Sequence, residues 1–559
     1  MITSSFLWTG ALAAFVFLVY FSQTRTRVHR DGKKLRRPPN TLPLLGNAIH
    51  FLKPRHQLFS WFVKCQKLFG HETFEISVPS LPPGVVINSP DNLEYVLKNE
   101  ANITKGDFFT DRSWDLFGYG IINATGDLWK AQRKAGLKFF GGGTLDSMIE
   151  DVLPEVYHSD SGMQRLLSKA AEDNTVVDLQ KLFLDLTTTV VGYMAYDMEI
   201  PANHPFSVAF DHASNNIGLR FQNPLWRLTE IFTGGPFRAS LREVKQFGRH
   251  IILNARKRRA RTAFESLITE ADGGPAGDGL GSGFGTLIDS LIETFSNPTI
   301  VADAALNFLS AGRDTTAQSL TWTMYVLLRN PEILPQLHTE IDKVFDRFQT
   351  PPSSPSFEHI SPVERSAPDS TTVEDDTTST SPAITMSHLQ PPSLPTLYSV
   401  FYESLRLYPP IPFEIKQTLV PLTLPDGTFL PKDAVVVWCI WALNRSTLTF
   451  GPDAESFRPG RWLDDSGKRI VRRSEAEFPV FNGGPRACLG KKMAEVMVCW
   501  VLGTVLAEFE FELEDELEEE EVEKDDSRPN RPNGKERTSA NSLTLPMLNG
   551  LPVRVRRRH

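Results

Sequence analysis

The stretch FPVFNGGPRACLGKKMAEV, residues 478–496, constrains this chain more than any other. It sets one cysteine, Cys488, among glycines, a proline and an arginine, directly before an amphipathic helical pattern. A core cysteine packs as a small hydrophobe and needs no such setting. Gly483 and Gly484 permit backbone angles barred to other residues and let a flat ligand approach the main chain; Gly490 does the same on the other side. From about Lys491 the pattern predicts a helix with Met493, Val496, Met497, Trp500 and Val501 on one face. Its N-terminus directs partial positive charge at the sulfur, which favours a thiolate. No second cysteine or histidine stands nearby, so the thiolate suits one axial position on haem iron, and Arg486 is placed to reach a haem carboxylate. Cys65, Cys439 and Cys499 form no C-x-x-C pair and read as buried hydrophobes.

The net charge of -8 and the lack of a long basic face give no footprint for nucleic acid. Near the N-terminus, the uncharged run FLWTGALAAFVFLVYF (Phe6–Phe21) spans about 24 Å as a helix. That is slightly short of the roughly 27 Å core of the endoplasmic-reticulum membrane. The basic segment RTRVHRDGKKLRRPP follows it, and MITSS before it has no basic residue, so the bias puts the rest of the chain on the cytoplasmic side. A cleaved signal peptide competes with this reading, but it wants basic residues before the run and small ones after it, whereas Ala11 and Ala13 lie in the middle. The expectation is an uncleaved, single-pass anchor over 1–24 and a basic hinge over 25–47 stiffened by Pro38, Pro39 and Pro43. One large domain follows over 48–559. A cytoplasmic body fits the free cysteines and makes the sequons at Asn102, Asn123 and Asn444 chance matches.

Helical periodicity dominates from Gly46 to about Phe264, with short strand-like pieces such as GVVINSP, so the fold class reads as mainly α with small β-sheets. The glycine-rich run at 271–285 lacks a preceding strand and a lysine-serine end, which argues against a phosphate loop. A long helix is predicted from Pro298 to about Arg329. Two polar tracts, 350–393 and 514–542, read as insertions too poor in apolar residues to bury much surface. The end, LTLPMLNGLPVRVRR, reads as a strand pair.

FNGGPRACLG resembles the haem-binding signature of the cytochrome P-450 superfamily, F-x-x-G-x-R-x-C-x-G, at every fixed position: Phe481, Gly484, Arg486, Cys488 and Gly490. Independent motifs agree with it. AGRDTT, residues 311–316, lies in the long helix, where Gly312 costs about 1 kcal/mol relative to alanine and wants a reason. A local opening for a diatomic ligand is one. A helix end competes, but apolar periodicity resumes at Leu320, Tyr325 and Leu327. Asp314 and Thr315 set an acid beside a hydroxyl, as a proton relay needs. The resemblance implies that Thr315 stabilises oxygen at the iron while Asp314 feeds protons. In YESLRLYPP, Glu403 and Arg406 share a helix face. The resemblance implies a structural lock between this pair and Arg461 of FRPGRW, beneath the haem. Gly460 stands where the family usually has an acid, which predicts a looser loop. Trp129 and Arg133 of DLWKAQRK share one side of a helix, and the resemblance gives both to the haem propionates. Lys416 stands where relatives often have a propionate-binding arginine; lysine keeps the charge and loses the fork.

The resemblance implies a cytochrome P-450 fold and a haem b monooxygenase, in which the axial thiolate favours O–O cleavage. The chain has no G-x-G-x-x-G strand–helix unit, so electrons must come from outside. The resemblance suggests the membrane-bound NADPH–cytochrome P-450 reductase. Lys491 and Lys492 suit its docking face, or simply a solvated helix start. The anchor suggests an apolar substrate entering from lipid, with FFTDRSWDLFGYG (108–120), Leu306, Phe308 and Phe413 among pocket-forming elements. AGRDTTAQSLTW, GDLWKAQRK and FNGGPRACLGKKMA look most like the fungal alkane and fatty-acid hydroxylases and their plant counterparts. That resemblance implies terminal or near-terminal hydroxylation of a long-chain fatty acid, for example as a glycolipid precursor in fungal secondary metabolism. Three readings compete: oxidation of a terpenoid or sterol, a haem-thiolate isomerase or dehydratase, and a tethered haem sensor or binding module. The intact Asp314–Thr315 pair argues against the last two.

Overall fold

A computed structural model describes residues 28–78, 81–201, 204–271, 286–345, 384–514 and 536–558, with positions 10, 13, 16 and 17. Its principal helices are α1 (Arg55–Phe69), α2 (Gly106–Phe117), α3 (Gly126–Phe139), α4 (Leu179–Tyr196), α5 (Pro205–Gln222), α6 (Gly235–Ala271), α7 (Pro298–Arg329), α8 (Pro395–Leu407) and α9 (Lys491–Glu508). The strands that matter for the site and its frame are β1 (Phe74–Ile76), β2 (Gly84–Val86), β3 (Ile103–Thr104), β4 (Val176–Asp178), β5 (Phe413–Thr418), β6 (Val435–Cys439), β7 (Phe509–Leu513) and β8 (Pro552–Arg557). The fold is mainly helical with small sheets, as the sequence predicts.

Helix α7 is the axis of the core. Asn297 caps it by accepting the Thr299 N–H at 2.9 Å, and Pro298 fills the first turn without losing a helical bond. It stops at Asn330, before Pro331. Between Val301 and Leu327 it is buried on every side except at Ala311, Gly312 and Thr315, as expected of a helix surrounded by others. It packs against α4, α6, α8 and α9. Trp322 stacks on Tyr408 with ring centroids 4.2 Å apart and donates to the Leu545 carbonyl at 2.7 Å. This ties α7 to both the end of α8 and the C-terminal segment.

The largest sheet has the order β1-β2-β6-β5-β3, with β6 parallel to β2 and antiparallel to β5. A three-stranded sheet has the order β7-β8-β4. The C-terminal segment therefore supplies one strand, not the pair its sequence suggests. Its partners come from earlier in the chain, and Asp178 fixes its approach by accepting the Leu551 N–H at 2.8 Å.

Residues 28–37, expected in the hinge, belong to the body. His29–Arg30 pairs with Lys33–Lys34 and with Thr428–Leu430, and the basic residues find acids: Arg30 the half-buried Asp426 at 2.6 Å, Arg37 the buried Glu75 at 2.7 Å. Most of both polar insertions, and residues 272–285 of the glycine-rich run, lie outside the described residues. Their edges are narrower than composition suggests. Leu389 is fully buried and its carbonyl accepts the Tyr398 hydroxyl at 2.9 Å. Glu536 accepts the Tyr408 hydroxyl at 2.6 Å. A few anchoring side chains suffice, and averaging over a polar window hides them. Among the described residues no helix is long and apolar enough to cross a membrane; the expected anchor falls almost wholly outside them.

Candidate active site

Two one-turn helices, Pro479–Phe481 and Gly484–Arg486, lead to Cys488, whose N–H donates to the Phe481 carbonyl at 2.8 Å. Gly484 has φ +58°, and a Cβ there would lie 2.4 Å from the Leu97 carbonyl oxygen. A Cβ on Gly483 would lie 2.6 Å from the Glu475 carboxylate. Neighbouring protein is therefore one reason for these glycines, beside the flat ligand that the sequence suggests. The Cys488 side chain is open to a cavity of ≈ 410 Å³ inside the fold. Burial pushes its thiol up; the Gly490 N–H, Arg133 and Lys491 pull the other way without prevailing. The helix start thus does not make a thiolate alone, but a coordinated metal ion deprotonates a thiol outright.

Across the cavity α7 presents Ala311, Gly312 and Thr315, the three incompletely buried positions between Val301 and Leu327. The Thr315 hydroxyl donates to the Ala311 carbonyl at 2.6 Å. The helix is unbroken through Gly312. A Cβ there would meet Val191 Cγ2 at 3.0 Å, so close contact with α4 is one reason for the glycine, beside the room that it leaves on the cavity side. Asp314 is buried, with Arg313 Nη1 donating to it at 2.6 Å and to Asp211 at 2.7 Å. Burial pushes the Asp314 carboxyl up to about 6, against the pull of Arg313 and with a further push from Asp211. Arg313 is fixed in turn by Thr188, which accepts from Nε at 3.0 Å. Neither Arg313 nor Asp211 carries a motif signal, since the arginine fills a variable position. Phe308 and Phe413 line the cavity, whereas Leu306 packs toward Gly248 of α6.

Trp129, Arg133 and Arg486 share one edge of the cavity. Arg133 Nη1 donates to the Ala487 carbonyl at 2.9 Å, and the Arg486 guanidinium lies 4.4 Å over the Trp129 ring. Lys416 is not on the wall. Its ammonium is buried on β5 and donates to Glu100 Oε2 at 2.8 Å, while Arg486 Nε donates to Glu100 Oε1 at 2.7 Å. Glu100 thus links the two cations, and Lys416 bears on the edge through it. Lys105, paired with Glu414 at 2.7 Å, occupies the wall instead. Glu100 and Lys105 lie in an ordinary polar stretch that offers no motif. The donor set fits haem: an accessible sulfur on one face, small side chains on the other, and two guanidiniums at one edge for carboxylates.

Beneath this site, Glu403 and Arg406 of α8 are fully buried and bonded at 2.8 Å. Glu403 also accepts from Arg461 Nε at 2.9 Å, the Trp462 indole at 2.8 Å and the Arg458 N–H at 2.8 Å. Burial alone would raise the Glu403 carboxyl, but its bonds to Arg406 and Arg461 outweigh that and hold it below its ordinary value. Beside Gly460, Asp453 supplies a carboxylate to Arg461 at 3.2 Å and to Arg458 at 2.6 Å. Trp462 had no motif of its own.

The family model for cytochrome P450 matches residues 37–363 and 371–533. The chain is similar to the cytochrome P450 monooxygenase cyp1 of Mycosarcoma maydis, with 29% identity over 487 residues, 85% of this chain and 70% of that protein. It is also similar to two proteins of Arabidopsis thaliana. Cytochrome P450 704B1 is 29% identical over 506 residues, 87% of this chain and 92% of the relative. Cytochrome P450 94B3 is 27% identical over 569 residues, 99% and 98% respectively. With the cysteine loop, the helix facing it and the edge cations in one cavity, these matches establish that the chain belongs to the cytochrome P450 family, as a monooxygenase with haem iron supplied with electrons by a redox partner.

Proposed function

We propose that the protein hydroxylates a long-chain fatty acid at or near its terminal carbon. The observation that carries this reading is the wall of the cavity between Cys488 and Thr315, which is mainly apolar and includes Phe117, Ile121, Ile122, Phe308 and Phe413. Such a wall takes a hydrocarbon chain and leaves few polar groups to orient anything else. When bound, the haem supplies dioxygen activation and transfer of one oxygen atom, the other leaving as water. Cys488 holds the iron; Arg133, Arg486 and Trp129 receive the carboxylates; Phe481 and Gly484 shape the loop. Asp314, held near 6, can take up and release a proton close to neutral pH, and the Thr315 hydroxyl stands on the cavity side to pass it on.

Electrons come from NADPH–cytochrome P450 reductase. Lys130, Lys134 and Lys138 stand exposed on α3, and Lys491 is exposed at the start of α9, a basic surface near the thiolate loop. Lys492 is engaged by Gln390 at 2.7 Å. Residues 1–24 anchor the chain in the endoplasmic-reticulum membrane. The exposed Leu44, Leu45, Ile49 and Leu52, and Leu225, Leu228, Ile231 and Phe232, suit a body resting on lipid.

Substrate difference spectroscopy tests the reading. A low-to-high-spin change with one range of fatty-acid lengths supports it; a response to sterols or terpenoids alone overturns the substrate. Thr315→Ala should keep haem and the carbon-monoxide band but uncouple NADPH use from product by about 10²-fold or more, the size of a lost acid–base contribution. Fully coupled turnover in that variant removes Thr315 from the proton path.

A further inference from the structure

Beside the haem cavity lies a second one, of ≈ 160 Å³, that shares Phe109, Phe413 and Leu543 with it. Its walls are chiefly apolar, yet three guanidiniums line it: Arg55, Arg112 and Arg220. Arg220 is neutralised by Glu230 at 2.6 Å and Asp115 at 2.8 Å. The other two have no carboxylate partner among the described residues. Arg55 Nη1 donates to the Thr544 carbonyl at 2.5 Å and the Ala540 carbonyl at 3.2 Å. Arg112 Nη1 donates to the Phe108 carbonyl at 2.8 Å, and its Nε is buried without a hydrogen-bond partner. The acid beside it in sequence, Asp111, is taken by Arg227. Burial lowers Arg112 to about 10 and Arg55 to about 9, so both remain charged at neutral pH.

The Arg112 guanidinium lies 3.8 Å over the Phe108 ring, but burying a charge without a counter-charge is still costly, and it is rare without a function. Here the cost falls in an apolar cavity, one wall away from the reacting centre. A guanidinium with free donors on a planar fork matches a carboxylate. We propose that Arg112, with Arg55 in the same cavity, binds the carboxylate of the substrate. The acyl chain then passes between Phe109 and Phe413 into the haem cavity, which puts the end remote from the carboxylate next to Thr315. This rests on the fatty-acid reading and adds to it which end enters first.

The test compares a free fatty acid with its methyl ester, same chain length, by spin-state titration of the full-length holoenzyme. The wild type should bind the acid more tightly. Arg112→Gln should weaken the acid by about 10- to 100-fold, the range for a charge-assisted hydrogen bond, and leave the ester unchanged. Product positions should spread away from the chain terminus. Arg112→Lys, which keeps the buried charge and loses the fork, should fall between; with Arg55→Gln it serves if Arg112→Gln fails to fold. An acid that binds with the same acid-to-ester ratio in wild type and variants overturns this proposal alone. An acid that gives no spin change in any of them overturns the fatty-acid reading and this proposal with it.

Discussion

Cys488→Ala is expected to give a folded protein with no thiolate-type carbon-monoxide band and no product above background. The fold gives this side chain no packing task. It faces the cavity, and the hydrogen bond that shapes its loop runs from its backbone N–H to Phe481, which alanine retains. The unfolding midpoint of the apoprotein should therefore move little, by the ± 0.5 kcal/mol or so usual for a substitution that disturbs no packing. The holoprotein loses whatever stability haem binding contributes. Cys65, Cys439 and Cys499 provide the contrast. All three are buried, and burial pushes the Cys65 thiol up to about 12 and the other two higher. Alanine at any of them should cost packing and leave the band in place. A thiolate band that survives Cys488→Ala, or disappears in one of the others, would remove the ligand assignment.

What could be read from sequence follows from how each feature is encoded. Cys488, Gly484 and Arg486 lie within five residues and carry strong residue-type demands, so a local string reveals them. Helix α7 is equally plain, because its cap, first-turn proline and final Asn-Pro are local signals. Glu100 was invisible for the opposite reason. It works by meeting Arg486 and Lys416, 386 and 316 residues away, and nothing near it in the chain reflects that. Arg313 and Asp211 meet across 102 residues in the same way. The glycines are legible in a different sense. Gly312, Gly483 and Gly484 are singled out as needing a reason, and each has one in protein, through Val191, Glu475 and Leu97, beside the ligand that the sequence suggests. A glycine reports close approach without saying by what. The polar insertions misled at their edges, where single buried residues such as Leu389 outweigh the composition around them.

The second large effect belongs to a residue that touches neither haem nor substrate. Arg406→Leu is expected to abolish accumulation of folded holoprotein. Arg406 makes five hydrogen bonds, two to Glu403 and one each to the carbonyls of Asn444, Ala454 and Ser456. Breaking a buried ion pair costs roughly 3–5 kcal/mol, and each stranded carbonyl adds about 1–3 kcal/mol. The sum is comparable to the roughly 5–15 kcal/mol that holds a whole domain together. Arg406→Lys keeps the charge but cannot reach all five acceptors, so it should fold with a lowered denaturation midpoint. Arg461→Leu should be milder than Arg406→Leu, because Glu403 keeps Arg406 and Trp462 as partners. The lock also has a pH signature. The Glu403 carboxyl is held below its ordinary value, so its stabilising contribution is fully present at neutral pH. It is lost only as pH falls below about 4.3, the ordinary glutamate value, through the lowered folded-state one. Denaturation midpoints read by the carbonmonoxy band, across pH and across the three variants, check the order. An Arg406→Leu protein that folds with the wild-type midpoint would mean that the buried pair is incidental to the frame under the haem.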